Sequence, residues 1–298
     1  MKDIFNIIFR LTLSCILAGL VMGGTYIVTN KAKLHNEHVN EQKVRYALLG
    51  FDSNNPPADS ISLQTIYRYV ITSAKGQFIG YLLPMASGAE APFSLVVIDL
   101  NGNFVEATPL QITPEKAGEK SERDKLVGAL LGSKRTARYA DQVIVATDNG
   151  ARMAYLLEGK FQGFKTFINV MLSIDPEFSI MGLEILEHEE DPGLGAEIER
   201  DYFRNQFKDK PYEVLKRLAV VKKPMPDEYY NALEGKIDAE TAKGLLEQYR
   251  DQDIYALTGA TISSEAVLSG VKGIVRKFVY RLSVLDKVIK EQQLAVAF

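Results

Sequence analysis

The 298-residue sequence has one cysteine and three histidines, and this shortage excludes several kinds of redox centre. Cys15 alone cannot form an intrachain disulfide or supply the four thiolates that an iron–sulfur cluster usually takes. The Cys-x-x-Cys-His segment of a c-type haem is also missing. His35 and His38 have no third and fourth ligand nearby in the sequence to complete a metal site. Redox chemistry is therefore expected to use an organic cofactor.

The sequence also lacks a basic excess and the common catalytic motifs. Its formal net charge is −3, whereas binding to nucleic acid usually needs a clustered basic surface, so no nucleic-acid partner is expected. Short basic runs such as Lys222-Lys223 are typical of solvated faces. No Ser/His/Asp arrangement, P-loop or Gly-x-Gly-x-x-Gly segment is visible. These absences favour a subunit of a larger assembly over a self-contained enzyme.

An apolar segment near the N-terminus predicts a membrane anchor. Residues 11–28 are uncharged and mostly apolar, and residues 5–28 can cross the hydrocarbon core if Arg10 lies near the surface. The alternative is a cleaved signal peptide, which the length of the run and the lack of an Ala-x-Ala site disfavour. The flanking charges are nearly balanced and do not fix the orientation. Residues 31–45, which are polar and charged, predict a helical stalk.

Two similar stretches in the rest of the chain predict antiparallel strands. Residues 81–104 and 155–178 each read as strand, connection, strand, tight turn, strand, with Asn101-Gly102 and Asp175-Pro176 as turn formers. They predict either a duplicated β-meander or two unrelated antiparallel sheets. Because helical patterns surround these strands, the predicted fold class is α+β.

The helical patterns lie between and after the predicted strands. Residues 122–131, with Ser121 as N-cap, and residues 201–207 and 239–249 are candidates. The last helix is marked by one apolar stripe with spacings of four, three and four residues. The members of the stripe are Val267, Val271, Ile274 and Phe278.

Residues 258–264, Thr-Gly-Ala-Thr-Ile-Ser-Ser, come immediately before the striped helix. Free N–H groups and the helix dipole favour an anion at a helix N-terminus. Gly259 and Ala260 let the backbone approach a ligand closely. The plainer alternative, which these residues alone favour, is that Thr or Ser only caps the helix.

Residues 257–264 resemble the flavinylation motif of the FMN-binding domain family. They look most like the FMN subunits of the Rnf-type ferredoxin:NAD oxidoreductase and of the sodium-pumping NADH:quinone oxidoreductase. In that family a flavin transferase joins FMN through its phosphate to the last threonine of Ser/Thr-Gly-Ala-Thr, which by position is Thr261. The other residues that the resemblance places around the flavin phosphate are Thr258, Gly259, Ala260, Ile262 and Ser263.

Two further stretches carry the resemblance. Residues 188–195, His-Glu-Glu-Asp-Pro-Gly-Leu-Gly, are similar to the family's His-x-Glu-Thr-Pro-Gly-Leu-Gly loop, and residues 203–208 look like its Gln-Phe-Lys segment. Taken alone, the Pro-Gly pair is only a turn former. Tyr255 stands where the family usually has Asp. The resemblance implies that the loop lines the isoalloxazine through Gly193, Leu194 and Gly195, and that His188 or Glu190 lies nearby and tunes the flavin.

The resemblance implies an electron-relay subunit, most similar to the Rnf type, of a membrane-bound, ion-translocating complex. Its cofactor would be covalent FMN. Its partners would be an integral-membrane flavin subunit, iron–sulfur subunits and a flavin transferase. The soluble domain would lie on the outer face of the bacterial inner membrane. Three alternatives remain open: the FMN subunit of a sodium-pumping NADH:quinone oxidoreductase, a membrane-bound redox sensor or accessory protein, and a flavin-free scaffold.

The predicted division of the chain follows from the anchor and the resemblance. It comprises a cytoplasmic tip and anchor, a stalk and linker, the N-terminal part of the periplasmic domain, and the FMN-binding domain with its motif. These parts are residues 1–30, 31–60, 61–150 and 151–298.

Overall fold

A computed structural model describes the backbone of residues 2–298, and their side chains except those of residues 2, 3, 5, 27, 28 and 30–40. The chain divides into two compact units, Met1–Asn54 and Asn55–Phe298. The first unit is built on one long helix, α1 (Lys2–Leu48), which confirms the helix predicted over residues 31–45. Within α1, Asn6–Tyr26 is apolar and long enough to cross a bilayer. The side chains of His35 and His38 lie outside the described residues.

The second unit is built on one antiparallel sheet of eight strands. Across the sheet the strands follow the order β4-β3-β2-β1-β5-β6-β7-β8. With helices around this sheet, the α+β class is confirmed. In chain order the strands are β1 (Ile61–Ser73), β2 (Gly76–Pro84), β3 (Phe93–Asp99), β4 (Phe104–Leu110), β5 (Arg135–Asp148), β6 (Ala151–Gln162), β7 (Phe167–Ile174) and β8 (Ile180–Glu187).

Two four-stranded meanders, β1–β4 and β5–β8, meet at the centre of this sheet. Their first strands pair antiparallel from Ile61↔Asp148 to Ser73↔Arg135. The two similar sequence stretches therefore hold equivalent positions in one sheet, and the alternative of two unrelated sheets is wrong. The division predicted at residue 150 falls in the turn between β5 and β6 of this continuous sheet.

Helices surround the sheet. The 3-10 turns Gly195–Glu199 and Asn205–Phe207 lie among them, and the short strands β9 (Val220–Val221) and β10 (Ile254–Tyr255) form a separate parallel pair. The remaining helices are α2 (Pro114–Gly118), α3 (Lys120–Leu131), α4 (Asp201–Arg204), α5 (Tyr212–Arg217), α6 (Asp227–Leu233), α7 (Ala239–Tyr249) and α8 (Thr261–Glu291). Three of them, α4, α6 and α8, contribute residues to a cleft.

Helices α8 and α3 cover opposite faces of the sheet. Side chains alternate along β3, so that Val96 and Ile98 belong to the buried cluster of α8, whereas Leu95 and Val97 belong to that of α3. Ser121 is not the N-cap of α3: the helix begins at Lys120, with Glu119 before it and no side-chain cap. The short helix α2 ends at Gly118, so only Glu119 separates the two helices and little chain is left for a separate cap.

The apolar stripe of α8 fixes the position of its N-terminus. Val267 and Val271 are fully buried against the sheet, Phe278 is nearly so, and Ile274 is partly buried, which confirms the predicted stripe. Burial of each such side chain stabilises the fold by about 1.5–3 kcal/mol. The first turn of α8 is therefore held rigidly at one edge of the domain core.

Candidate functional site

The turn that leads into α8 is held by the hydroxyl group of Ser264, which lies near the start of that helix. The buried Ser264 Oγ accepts a hydrogen bond from the Leu257 N–H at 3.0 Å and donates one to the Ala260 carbonyl at 3.0 Å. The Ala260 N–H donates to the Leu257 carbonyl at 3.1 Å. Thr261 follows as the first, half-buried residue of the helix.

No side chain of the described residues caps the N-terminus of α8. Ala260 occupies the cap position, and Thr261 lies inside the first turn. The alternative that Thr or Ser caps this helix is therefore wrong. The first N–H groups of a helix have no partner within the helix, and together with the dipole they attract an anion.

Gly259 adopts a backbone conformation that favours glycine and lies against Leu194. Its φ is +75°, and a Cβ on this residue would lie 2.9 Å from Leu194 Cδ2. The close neighbour of Gly259 is thus the Pro-Gly-Leu-Gly loop, and its predicted close approach to a ligand stays a prediction. This contact joins the loop to the turn before α8.

Gly259→Ala is expected to lower the free energy of unfolding by about 1–2 kcal/mol, because an L-residue is strained at positive φ. It should also displace Leu194 and reduce flavin loading. Gly235→Ala is a matched control: Gly235 has φ +65° and nothing within 4 Å of an added Cβ. Chemical denaturation should give similar losses for the two variants, and flavin absorbance should fall only for Gly259→Ala. Equal flavin loading of both variants would contradict the role given to this contact.

Glu190 joins three segments beneath the helix N-terminus. Its Oε1 accepts hydrogen bonds from the N–H groups of Phe164 at 2.8 Å and Lys165 at 3.2 Å. Its Oε2 accepts a hydrogen bond from the Ser263 hydroxyl. The carboxylate, in a residue only 5% exposed, therefore ties the β6–β7 turn and the 188–195 loop to α8.

His188 lies behind Glu190. Its Nδ1 accepts a hydrogen bond from the Glu190 N–H at 3.0 Å, and its Nε2 lies 2.8 Å from Glu199 Oε1. Gly195 is also packed in this region, because a Cβ there would lie 2.8 Å from Glu190 Oε2 and 2.9 Å from Ser263 Oγ. His188, Glu190, Gly195 and Ser263 thus form a supporting layer under the turn.

A cleft of about 680 Å³ opens beside this turn. Ala260 is buried behind the cleft, and Ile262 is exposed next to it. The structure thus brings together part of the set predicted from the sequence and places the rest beneath or beside it. The predicted residues that line the cleft are Gly193, Leu194, Thr258, Gly259 and Thr261.

The opposite wall of the cleft comes from residues that the sequence did not indicate. Strand β9 pairs in parallel with β10, and the Ala256 N–H donates to the Val221 carbonyl at 3.0 Å. This pairing sets the exposed Lys222 and Lys223 beside the 256–258 segment. Leu257 of the motif also lines the cleft, and the remaining new lining residues are Glu197, Tyr202, Pro224, Met225, Tyr230 and Ala256.

The segment that precedes the motif is held by two buried polar side chains. Gln206 Oε1 accepts a hydrogen bond from the Tyr255 N–H at 2.7 Å, and its Nε2 donates to the Tyr255 carbonyl at 3.2 Å. Lys210 Nζ donates to the carbonyls of residues 249, 250 and 252. The Gln-Phe-Lys segment therefore anchors β10.

Tyr255, which stands where the resemblance expects Asp, lies in an aromatic cluster. It is 7% exposed and packs with Tyr229 and Tyr249, whose rings stack at 4.0 Å. A carboxylate in this aromatic cluster would lose its hydration without gaining a partner. Asp253 instead accepts a hydrogen bond from the Ala219 N–H at 2.8 Å.

The lowered pKa of Lys210 predicts that the free energy of unfolding rises with pH in the alkaline range. Burial lowers the pKa of Lys210 to about 8 from 10.5, against the opposing charges of Asp251 and Asp253. Between these two values the unfolded chain binds a proton that the folded chain does not, so the free energy of unfolding increases with pH. The slope attributable to Lys210 is at most about 1.4 kcal/mol per pH unit.

Urea denaturation between about pH 8 and pH 9.5 measures this slope in the wild type and in Lys210→Met. The wild type is expected to gain stability more steeply than the variant over this window. Equal slopes would contradict the lowered pKa of Lys210.

The fold and site together form a cleft whose lining suits an anionic group. An uncapped helix N-terminus, two lysines and a cleft converge on one threonine. Residues 163–276 match the model of the FMN-binding domain family. The matched range contains the 188–195 loop, both walls of the cleft and the first turns of α8.

The chain is similar to subunits of ion-translocating complexes. It is 31% identical over 125 residues to a subunit of the proton-translocating ferredoxin:NAD(+) oxidoreductase complex of Clostridium ljungdahlii, covering 42% of this chain and 53% of that protein. It is 28% identical over 128 residues to a subunit of an ion-translocating oxidoreductase complex of Methanosarcina acetivorans, covering 43% and 52%. The match thus spans about half the length of these relatives.

Two solved structures align with much of the chain. Shewanella oneidensis NqrC aligns with a TM-score of 0.40 at 15% identity, over 78% of this chain and 89% of that one. A subunit of the Na(+)-translocating NADH-quinone reductase of Parabacteroides distasonis aligns with a TM-score of 0.34 at 24% identity, over 60% and 72%.

Proposed function

We propose that this protein is the electron-relay FMN subunit of a membrane-bound, ion-translocating oxidoreductase of the Rnf type, with FMN attached through a phosphoester to Thr261. The observation that carries the proposal is the position of Thr261. It is the first residue of an uncapped helix, and it lines the cleft of an FMN-binding domain.

The residues of the cleft fit the phosphate of FMN. The N–H groups at residues 261–263 and the dipole of α8 suit a phosphate oxygen. Lys222 and Lys223 supply positive charge on the opposite wall. The cleft volume of about 680 Å³ lies within the range of about 300–1,000 Å³ that is typical of cofactor sites.

Bound FMN supplies the electron-transfer chemistry, and the residues of the chain hold and orient it. Thr261 is the point of attachment and not a catalytic nucleophile. Glu190 and Ser263 fix the first turn of α8 against the 188–195 loop. Leu194, which lines the cleft, and Ile262, which follows Thr261, are about half exposed, so this part of the cleft is open to solvent. A covalent tether keeps the flavin in such an open cleft, where redox partners can reach it.

The proposed location and partners follow from the apolar segment and from the relatives. Asn6–Tyr26 anchors the chain in the bacterial inner membrane, with the soluble domain on the outer face. The relatives are named as subunits of multi-subunit complexes. The partners proposed here are an integral-membrane flavin subunit, iron–sulfur subunits and the flavin transferase that modifies Thr261.

Expression of the full chain in a bacterial host, with and without a flavin transferase, tests this function. Flavin fluorescence should appear at the position of the protein on a denaturing gel only with the transferase, and in the membrane fraction only. Dithionite should bleach the flavin absorbance, and air should restore it. A wild-type chain that carries no covalent flavin in the presence of an active transferase would overturn the proposal.

A further inference from the structure

Two tyrosines form an aromatic pair in the wall of the cleft. Tyr202 lies on α4 and Tyr230 on α6, and both line the same cleft as Thr261. Their ring centroids are 5.0 Å apart at an interplanar angle of 45°. The Tyr202 N–H donates to Glu234 Oε1 at 3.1 Å, so the two helices that carry the pair are joined. The pair is therefore a fixed feature of the wall.

This pair differs from the neighbouring aromatic core. Tyr229 and Tyr255 are 4% and 7% exposed and close the core, whereas Tyr202 and Tyr230 are only half-buried. Consecutive residues on a helix point in different directions, so Tyr229 enters the core and Tyr230 reaches the cleft. Tyr202 packs in part against the core, and Lys236 Nζ lies 4.8 Å from the centroid of the Tyr230 ring, yet both rings remain partly exposed and line the cleft.

The pair has the chemistry of a platform for a flat aromatic ligand. Aromatic rings prefer offset or tilted packing on other rings, and Met225 adds a polarizable side chain to the same wall. Burial and the nearby Glu197 raise the pKa of Tyr202 to about 12, so its phenol is neutral under physiological conditions. Neutral phenols are electron-rich and donate an electron to photoexcited flavins in contact with them.

We propose that Tyr202 and Tyr230 are the platform on which the isoalloxazine ring of the flavin tethered at Thr261 rests. The inference depends on the proposed function, because it needs a flavin in the cleft. It adds the residues that hold the ring, Tyr202 and Tyr230, which lie outside the three segments that resemble the family, residues 188–195, 203–208 and 257–264. The platform has a spectroscopic consequence: electron transfer from a phenol to the excited ring, followed by return of the electron, quenches flavin fluorescence without net chemistry.

Fluorescence of the flavinylated full chain tests the platform. In the wild type, native fluorescence should be several-fold weaker than that of the same sample after denaturation. The double variant Tyr202→Phe/Tyr230→Phe keeps both rings but removes both phenols, and its native fluorescence should rise several-fold. Tyr249→Phe is the matched control, because Tyr249 is a partly buried tyrosine that stacks on Tyr229 and does not line this cleft. Its native fluorescence should equal that of the wild type.

The outcomes separate this inference from the proposed function. Covalent flavin content, read on a denaturing gel, is measured for every variant alongside native fluorescence. If the wild type carries no covalent flavin, the proposed function fails, and the platform fails with it. If covalent flavin is present but the double variant fluoresces no more than the control, the platform alone is overturned.

Discussion

Thr261→Ala is expected to abolish covalent flavin, because the alanine removes the only oxygen through which the proposed phosphoester forms. The fold should persist, since Thr261 is half-buried and its side chain does not cap α8. Fluorescence on a denaturing gel should fall to background, while the melting temperature of the flavin-free protein stays close to that of flavin-free wild type.

Two neighbouring variants make this result specific. Thr261→Ser keeps a hydroxyl at the same helix position and should retain covalent flavin. Thr258→Ala removes an exposed hydroxyl from the same cleft, and covalent flavin should again be retained, with at most a lower yield. Covalent flavin on Thr261→Ala would show that the attachment residue is a different one.

Glu190→Ala is expected to lower the free energy of unfolding by about 2–4 kcal/mol. The change leaves the buried Ser263 hydroxyl and two backbone N–H groups without their carboxylate acceptor, and an unsatisfied buried polar group costs about 1–3 kcal/mol. Flavin loading should fall as well, because the first turn of α8 loses its connection to the 188–195 loop.

Glu189→Ala is the matched control for this prediction. Glu189 is the exposed neighbour of Glu190, and a surface substitution of this kind usually changes stability by no more than about 0.5 kcal/mol. Urea denaturation of the two flavin-free variants measures the difference. If Glu190→Ala is as stable as Glu189→Ala, the carboxylate does not hold the site together.

The parts of the fold with a strong local pattern could be predicted from the sequence. The period-2 strands with Asn101-Gly102 and Asp175-Pro176 turns predicted the meanders, and the stripe from Val267 to Phe278 predicted α8. The pairing of β1 with β5 could not be predicted, because strand partners are chosen by packing across the sheet and not by local propensity. The same limit applies to β9 and β10, which are only two residues long.

The candidate site was predictable where it lies on contiguous motifs. Gly193, Leu194, Thr258, Gly259 and Thr261 lie in the motifs and line one cleft, and their contact with FMN stays a prediction. From the sequence, Lys222 and Lys223 are interpreted as part of a solvated face. Nothing in the local sequence shows that β9 and β10, of two residues each, will pair and place these lysines beside the motif. Glu190 was expected near the flavin ring, but the structure places it under the helix as a hydrogen-bond acceptor, a position that depends on three separate segments.

The central claim is the phosphoester between FMN and Thr261, and mass spectrometry of the tryptic peptide 251–272 tests it most directly. This peptide lies between Arg250 and the cleavage site after Lys272, and it contains the whole motif. From wild-type protein made with a flavin transferase, it should carry the added mass of one phosphoester-linked FMN, with fragment ions that place the added mass on Thr261. An unmodified peptide, or an added mass placed on Thr258 or Ser263, would contradict the account.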